Sequence, residues 1–524
     1  MANETNFTNP LLGLKLPESI ELPKIFLSLF GIWFTFNFVE ALFTRDVFGS
    51  KAPYVGPSVQ WLPGFVKRLL FHANASRIIY TGYGKFKNSI FRVMRNDYDL
   101  VVLSTKYLEE LRALPDTKVS SIRAHIMNLA GKYSTTDILI ESPLHTQTLQ
   151  TRLTPNLGLL VEPMQKELLS TINSSFSTIT DTWTPLAVFP TILNGIARVS
   201  ASVFVSPLAE NAAWLHGSVH YTENLFLVVY ILKLIPSFLW PFVSPCIPAY
   251  WRIHYYLRSA KAMVSPIVLE RRKAAAENPD WKPPFDFLQW MMEEAKTPEE
   301  QNPEKLAHRL LLVSLASIHT TTMCTTHVLY DLAQYPEYIE PLRQEVREAV
   351  ESEGGWNKQT INRLKLMDSF IRESQRFNPP SLLSFHRVVI EPVTLADGTF
   401  LPKNTQICMP SGPLGMDSTV LIGDKPPTEF DGYRYFNERK KEGGGHRHQF
   451  TMTGKDHLHF GAGRYACPGR FLAANEIKML LGTLLQEGYE WKFKEGTGRP
   501  KNWNMEEKIV PHTTAELLFR KVKQ

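Results

Sequence analysis

The chain has little cysteine for its length, with only Cys246, Cys324, Cys408 and Cys467 in 524 residues. Thiols so few and so scattered exclude a disulfide-stapled fold and are typical of a reducing compartment. A large excess of one charge is also lacking, because 57 Lys and Arg residues stand against 51 Asp and Glu residues, for a net charge of +6. This mild excess argues against nucleic-acid binding. It would suit docking of an acidic protein or of lipid headgroups.

The sequence has no internal repeat and no low-complexity segment, so neither a repeat array nor a disordered chain is indicated. Hydrophobic residues make up 44% of the chain and aromatic residues 11%, which is enough for a sizeable core. Length alone would suggest about three domains. Because the motifs described below follow one another without a linker, we expect one catalytic domain over residues 64–524.

One long apolar run lies near the N-terminus. Residues 25–43 read IFLSLFGIWFTFNFVEALF, with Glu40 as the only charge. This length is close to what spans a bilayer, and the preceding residues lack the basic start of a cleaved signal. We predict a transmembrane anchor at 25–43, a lumenal segment at 1–24 and a Pro-rich linker at 44–63; a signal sequence or a buried helix are the alternatives. Basic residues after the run favour a cytosolic body.

Cys467 lies in a Gly-rich turn, FGAGRYACPG at 460–469, and apolar residues at helical spacing follow it. Unpaired N–H groups at a helix start lower a thiol's pKa, so this cysteine is a candidate iron ligand. Gly461 and Gly469 let the backbone approach a flat cofactor where a Cβ would collide. Arg464 could pair with a carboxylate group of that cofactor, and a propionate of haem would be a suitable partner.

The same turn has two other interpretations. The cysteine could be buried and inert, or residues 461–466 could be a dinucleotide fingerprint, since they satisfy G-x-G-x-x-A. A fingerprint follows a strand, and no clear β-branched run leads into this one.

The pattern F-x-x-G-x-R-x-C-x-G resembles the haem-binding signature of the cytochrome P-450 superfamily. The resemblance implies a mostly α fold with small β-sheets, the cytochrome P-450 fold. It also implies haem b as cofactor, with Cys467 as the axial ligand of the iron. Phe460, Gly461, Arg464 and Gly469 would then be cofactor-binding residues.

An unbroken helical pattern runs between Pro303 and Pro336, about 50 Å long at the helical rise. At its middle, Ala316-Ser317-Ile318-His319-Thr320-Thr321 is similar to the family's oxygen-binding helix, although Ser317 replaces a glycine and His319 an acid. By this resemblance Thr320 bonds dioxygen and relays protons, and His319 and Thr321 are catalytic beside it. Imidazole can carry protons near neutral pH, but a hydrogen-bonded core histidine is an equal alternative for His319.

Further residues are assigned through the same resemblance. Glu373 and Arg376 match the family's E-x-x-R pair, which three-residue spacing sets on one helix face; Arg434 is similar in place to the arginine that joins it. These three residues would be structural. Arg152 and Arg387 resemble arginines that meet haem propionates, although Thr148 stands where a tryptophan usually precedes the first. The substrate pocket would involve segments 116–138, 312–320, 382–385 and 509–513.

The resemblance is strongest to fungal secondary-metabolism members such as ent-kaurene oxidase and indole-diterpene oxidases. It predicts a single-pass endoplasmic reticulum monooxygenase with a cytosolic catalytic domain, acting on a terpenoid or meroterpenoid. The chain has no flavin or nicotinamide module, so NADPH-cytochrome P-450 reductase would supply the electrons for O2 activation. The alternatives are a polyketide or alkaloid substrate, a reductase-independent peroxide isomerase or lyase, and a haem protein without turnover.

Overall fold

A computed structural model describes residues 22–43, 52–56, 64–95, 97–235 and 237–522. The predicted lumenal segment 1–24 and the linker 44–63 lie largely outside these residues. The domain boundaries therefore stay predictions.

Helices make up most of the described chain. Their bounds are α1 (Leu22–Phe43), α2 (Gly64–Phe86), α3 (Leu108–Ala113), α4 (Ser121–Asn128), α5 (Gly131–Ser134), α6 (Ile138–Glu141), α7 (Leu144–Thr148), α8 (Thr154–Ser175), α9 (Val188–Phe204), α10 (Ala212–Lys233), α11 (Trp240–Val243), α12 (Pro248–Glu277), α13 (Phe287–Glu294), α14 (Pro298–Gln301), α15 (Pro303–Gln334), α16 (Ile339–Glu353), α17 (Lys358–Arg363), α18 (Lys365–Phe377), α19 (Ser411–Gly415), α20 (Arg434–Lys440) and α21 (Arg470–Gln486). A π-helical turn, Leu149–Leu153, joins α7 to α8.

The strands are short and form small sheets. They are β1 (Ile90–Met94), β2 (Asp99–Leu103), β3 (Val119–Ser120), β4 (Thr184–Ala187), β5 (Ser384–Val389), β6 (Val393–Thr394), β7 (Phe400–Leu401), β8 (Gln406–Met409), β9 (Tyr489–Lys492), β10 (Trp503–Met505), β11 (Lys508–Val510) and β12 (Glu516–Lys521). One sheet has the order β1-β2-β8-β5-β3 and another β4-β12-β9; β10-β11 and β6-β7 form separate pairs. Among the strands of the described residues, only β2 and β8 pair in parallel. The predicted mostly α fold with small sheets is confirmed.

The long helix α15 crosses the core, as its apolar pattern predicted. Asn302 caps it by accepting hydrogen bonds from the N–H groups of Glu304 and Lys305, and Pro303 occupies its first turn. Residues 306–315 are all buried, so this half of the helix is enclosed on every side. Helices α9, α10 and α12 pack against it.

In the described part of the chain, no helix combines the length and the apolar character needed to cross a membrane. The predicted transmembrane anchor at 25–43, which falls within α1, is therefore not confirmed.

Candidate active site

The turn before α21 holds Cys467 in a fixed position. Gly461 has φ +73° and Gly463 φ +68°, the left-handed region that favours glycine. The N–H of Cys467 donates to the carbonyl of Phe460 (2.8 Å), which closes the turn. Burial raises the pKa of the Cys467 thiol, while the N–H groups of Gly469 and Arg470 act to lower it. These donors at a helix start would stabilise a thiolate.

Open space lies next to this sulfur, although protein surrounds it. The Cys467 side chain is exposed, yet burial dominates its pKa shift, so the space is enclosed. A Cβ on Gly469 would meet no atom within 4 Å. In α15, Ala316 and Thr320 are exposed in the middle of a helix that is otherwise mostly buried there. A hollow of this kind is where a flat cofactor could bind.

Two arginines near the turn lack acidic partners that would neutralise them. The buried Arg387 guanidinium donates to Ser121 Oγ (3.0 Å) and to the carbonyl of His386 (2.8 Å). Burial lowers the pKa of Arg387 to about 10; the nearby Tyr465 and Asp116 act against this shift, and Arg464 adds to it. Both guanidinium groups lie over the Tyr465 ring, at 5.3 Å for Arg387 and 4.8 Å for Arg464.

Asp116 acts on Arg387 only from a distance, without an ion pair, and its carboxylate accepts a hydrogen bond from the Tyr465 hydroxyl. No described residue forms an ion pair with Arg387 or Arg464. Arg387 is buried whereas Arg464 is exposed, and a buried cation without a paired counter-ion is unfavourable. The propionates of haem would supply the missing negative charge, so the residues present fit this cofactor.

The structure does not bring Arg152 to this pair of arginines. Its guanidinium donates to Glu294 Oε1 (3.3 Å) and pairs with Glu293 on α13, and its side chain is 36% exposed. No contact among the described residues joins it to Arg387 or Arg464. Its predicted propionate contact stays a prediction without support from this geometry.

The middle of α15 presents its polar residues to different neighbours. Thr320 Oγ1 donates to the carbonyl of Ala316 (2.7 Å) at the hollow, so the hydroxyl oxygen can still accept a bond from a ligand. The His319 ring lies 3.3 Å from the carbonyl of Val219 in α10, and burial lowers its pKa. Its ring is thus engaged by a neighbouring helix, as expected for a core histidine. Thr321 is buried and faces α21.

Sequence reasoning missed Glu476, an acid buried in α21. Ser200 Oγ of α9 donates to Glu476 Oε1 (2.9 Å), and Ser200 Oγ lies 3.2 Å from Ser317 Oγ of α15. Burial raises the pKa of Glu476 to about 8, and the hydrogen bond from Ser200 and the nearby Thr321 hydroxyl act against that rise. The available signal was an acid in the interior of an apolar helix, nine residues after Cys467.

The E-x-x-R pair is buried and doubly bonded. Arg376 donates through Nε to Glu373 Oε2 (2.8 Å) and through Nη2 to Glu373 Oε1 (2.7 Å). Arg434 Nε lies 3.3 Å from the same carboxylate. Both arginines also donate to loop carbonyls, those of Gly415, Pro427 and Glu429 for Arg376 and those of Ile422, Lys425, Pro426 and Glu429 for Arg434. The three charges thus tie α18 to the segment 415–434.

Other residues of α18 reach the segment that leads into the cysteine turn. Arg372 donates to the carbonyl of Gln449 (3.1 Å), and Asp368 accepts from the N–H of Phe450 (2.8 Å). The turn is therefore anchored to α18 from its N-terminal side.

Fold and site together define a haem-thiolate protein. The family model for cytochrome P450 matches residues 57–519, and the chain belongs to this family, which confirms the predicted resemblance. It is a cytochrome P450 monooxygenase, an oxidoreductase. Members of this family bind haem through a thiolate, use O2 with electrons from a redox partner, and act on hydrophobic substrates.

Several named proteins are similar over nearly their full length. The chain is 46% identical to cytochrome P450 monooxygenase AN1598 of Emericella nidulans over 523 residues, 99% of this chain and 97% of that one. It is 40% identical to cytochrome P450 monooxygenase paxP of Penicillium paxilli, covering 94% of each. It is 37% identical to ent-kaurene oxidase of Fusarium fujikuroi, covering 99% and 97%. The relatives are fungal monooxygenases of secondary metabolism.

A solved structure has the same fold. The retinoic acid-bound cyanobacterial CYP120A1 superposes with a TM-score of 0.65 at 18% identity, covering 90% of this chain and 99% of that one.

Proposed function

We propose that this chain is a membrane-attached monooxygenase that uses haem b, O2 and NADPH-derived electrons to oxidise a terpenoid or meroterpenoid intermediate. The observation that carries the haem site is that Cys467, just before α21, shares its turn with Arg464 and Tyr465. Arg387 and Arg464 both lie over the Tyr465 ring, and neither forms an ion pair with a described residue. A thiolate ligand and two propionate partners are what iron protoporphyrin IX requires from the protein.

Each residue of the site has a distinct task in this proposal. Cys467 would hold the haem iron through its sulfur, Arg387 and Arg464 would pair with the propionates, and Phe460, Gly461 and Gly469 would form the surface against which the ring lies. Bound haem supplies the oxygen chemistry that amino-acid side chains cannot. Thr320 positions O2 with its hydroxyl and holds a proton at Oγ1.

Thr321 and His319 flank Thr320 in α15, but their side chains lie toward neighbouring helices rather than toward the hollow. Thr321 lies toward Glu476, and the His319 ring meets the carbonyl of Val219. The proton relay predicted for His319 requires that the ring leave this carbonyl. Glu373, Arg376 and Arg434 hold the segment 415–434 and so act structurally.

The membrane attachment proposed here would use α1. Several of its described side chains are large, apolar and exposed, including Phe26 at 67%, Leu27 at 76% and Ile32 at 68%. Such surfaces are unfavourable in water and favour burial in lipid. We place the protein in the endoplasmic reticulum membrane as a single-pass protein with its catalytic domain in the cytosol, where NADPH-cytochrome P450 reductase can reach it.

The substrate class follows from relatives. The chain is 37% identical to an ent-kaurene oxidase, whose name states a diterpene substrate. A similar hydrocarbon skeleton would suit the apolar character of the segments 382–385 and 509–513, in which Leu382, Leu383 and Ile509 are buried.

The test uses microsomes that contain this chain with a fungal NADPH-cytochrome P450 reductase. Diterpene and meroterpenoid precursors are added with and without NADPH, and products are scored by mass. A gain of one oxygen that requires NADPH supports the proposal. Conversion of a peroxide without NADPH would instead indicate an isomerase.

Cys467→Ser is the matched variant for that assay, with Cys246→Ser as its control, because Cys246 is also an exposed cysteine but lies between α11 and α12. We expect Cys467→Ser to lose product and thiolate-type spectra. Cys246→Ser should keep both, and equal loss in the two variants would contradict the assignment.

A further inference from the structure

A buried acid is connected by two hydrogen bonds to the middle of α15. Glu476 of α21 is 2% exposed and Ser200 of α9 is 0% exposed. Ser200 Oγ lies 2.9 Å from Glu476 Oε1 and 3.2 Å from Ser317 Oγ of α15. We call Glu476, Ser200 and Ser317 the acid-serine chain. The serine in α15 stands where the family pattern has a glycine, which could not offer this hydroxyl.

Helix geometry places Ser317 on the same side of α15 as Thr320. Successive helical residues are rotated by about 100°, so Thr320 lies between Ala316 and Ser317 around the helix, about 60° from the serine. Thr320 Oγ1 lies 2.7 Å from the carbonyl of Ala316 and 3.4 Å from that of Ser317. Ala316 and Thr320 are exposed to the hollow and Ser317 is half-buried beside them. The acid-serine chain therefore ends next to Thr320.

His319 does not share this side of the helix. It lies about 160° from Ser317 around α15, and its Nε2 is 3.3 Å from the carbonyl of Val219 in α10. Burial lowers the pKa of His319, so its ring is neutral near neutral pH. The one N–H of a neutral imidazole is then used by this carbonyl. The geometry therefore gives His319 no proton to spare for the hollow.

The surroundings of Glu476 favour the protonated acid. No described residue forms an ion pair with its carboxyl group, and its Oε2 atom is buried without a hydrogen-bond partner among them. A buried carboxylate without a charged partner is costly, and burial raises the pKa of Glu476 to about 8. Glu476 therefore holds a proton at neutral pH. A protonated carboxyl group can donate the hydrogen bond to Ser200 as well as accept it.

We infer that the acid-serine chain stores one proton and delivers it to the oxygen chemistry beside Thr320, in the place of the relay predicted for His319. Glu476 holds the proton, and Ser200 and Ser317 pass it on. The inference rests on the proposed function and deepens it, because it names the proton route of the same site.

The transfer balances in protons and in charge. Glu476 gives its carboxyl proton to Ser200 Oγ, Ser200 gives its own hydroxyl proton to Ser317 Oγ, and Ser317 gives its own to the acceptor in the hollow. Both hydroxyl groups are restored, and a carboxylate remains at Glu476. Solvent water that enters the hollow after the product leaves returns one proton along the same chain in the opposite direction. Each turnover that forms one water from O2 consumes two protons, and the chain supplies one of them.

The first test follows the Glu476 proton without turnover. Infrared difference spectra between the haem-loaded wild-type protein and Glu476→Gln, recorded below the pKa of about 8, identify the carbonyl stretch of the protonated carboxyl group. Transfer into D2O then shifts this band as the proton exchanges. Ser317→Ala removes the hydroxyl that leads to the hollow. Ser314→Ala is the matched control, because Ser314 is a buried serine of the same helix that donates to the carbonyl of Leu310 (3.0 Å).

We expect the band to shift at the same rate in the wild-type protein and in Ser314→Ala. In Ser317→Ala the exchange should be roughly 10-fold slower, because one hydrogen-bonded step is missing. Equal rates in Ser317→Ala and the wild-type protein would overturn the inference. So would the absence of any protonated carboxyl band that disappears in Glu476→Gln.

The second test measures coupling with ent-kaurene as the probe and the fungal reductase. Ser317→Ala and Glu476→Gln should form less product and more peroxide per NADPH than Ser314→Ala, while their haem content and thiolate-type spectra match it. A merely structural role would reduce haem content and coupling together. Uncoupling in His319→Gln with full coupling in Ser317→Ala would return the relay to His319 and overturn the inference.

Failure of the proposed function would look different. The wild-type protein would then lack thiolate-type haem spectra and NADPH-dependent product, whatever the rate at which the Glu476 proton exchanges.

Discussion

Replacing Arg376 by alanine tests how the fold holds the cysteine turn. Glu373 is 0% exposed and Arg376 2%. The substitution removes both bonds to the Glu373 carboxylate and leaves the carbonyls of Gly415 and Pro427 without this donor. Breaking one partner of a buried ion pair costs about 3–5 kcal/mol. That loss is a large share of the stability of a typical domain.

The assay is denaturant unfolding of the purified protein together with haem content per chain. Arg376→Ala should unfold at lower denaturant and be isolated largely free of haem. Arg363→Ala is the control, because Arg363 pairs with Glu353 at the surface with its side chain 57% exposed. Such pairs contribute about 0–1 kcal/mol. If Arg376→Ala kept full haem and a free energy of unfolding close to that of Arg363→Ala, the reasoning would be refuted.

Three other predictions concern the site. Thr320→Ala should release more peroxide and form less product per NADPH, because the hydroxyl at the hollow is lost; unchanged coupling would contradict its role. Glu476→Gln should change how the free energy of unfolding depends on pH. The pKa of Glu476 is raised to about 8 in the folded protein, which therefore keeps a proton that the unfolded chain releases near pH 4.5. Wild-type stability consequently falls between about pH 4.5 and 8. Urea unfolding at pH 5 and 8 should show Glu476→Gln gaining about 1–4 kcal/mol relative to wild type at the higher pH, and a constant difference would count against a buried neutral acid. Arg387→Ala should bind haem weakly while Arg152→Ala retains it, as measured by haem titration; the reverse order would assign the propionate contact to Arg152.

Some features of the site could be read from the sequence because they depend on local spacing. The helix at Pro303–Gln334 follows from a continuous apolar pattern between two prolines. The Glu373–Arg376 contact follows from three-residue spacing on one helix, and the turn before α21 follows from glycines ahead of a helical pattern.

Contacts between distant parts of the chain could not be predicted from the sequence. Ser200 and Glu476 are 276 residues apart and meet only because α9 and α21 both pack on α15. Arg152 meets Glu293 and Glu294 through the packing of α7 and the following π turn on α13. Hydrophobic periodicity along the chain does not predict such long-range contacts. A family resemblance indicates which positions are functional, but not which residues their side chains contact.

Product formation by microsomes with the reductase is the most direct test of the central claim. With a terpenoid precursor, the account predicts a product heavier by one oxygen that appears only with NADPH and disappears in Cys467→Ser. Product that persists in Cys467→Ser, or that forms equally well without NADPH, would contradict a haem-thiolate monooxygenase built on this cysteine.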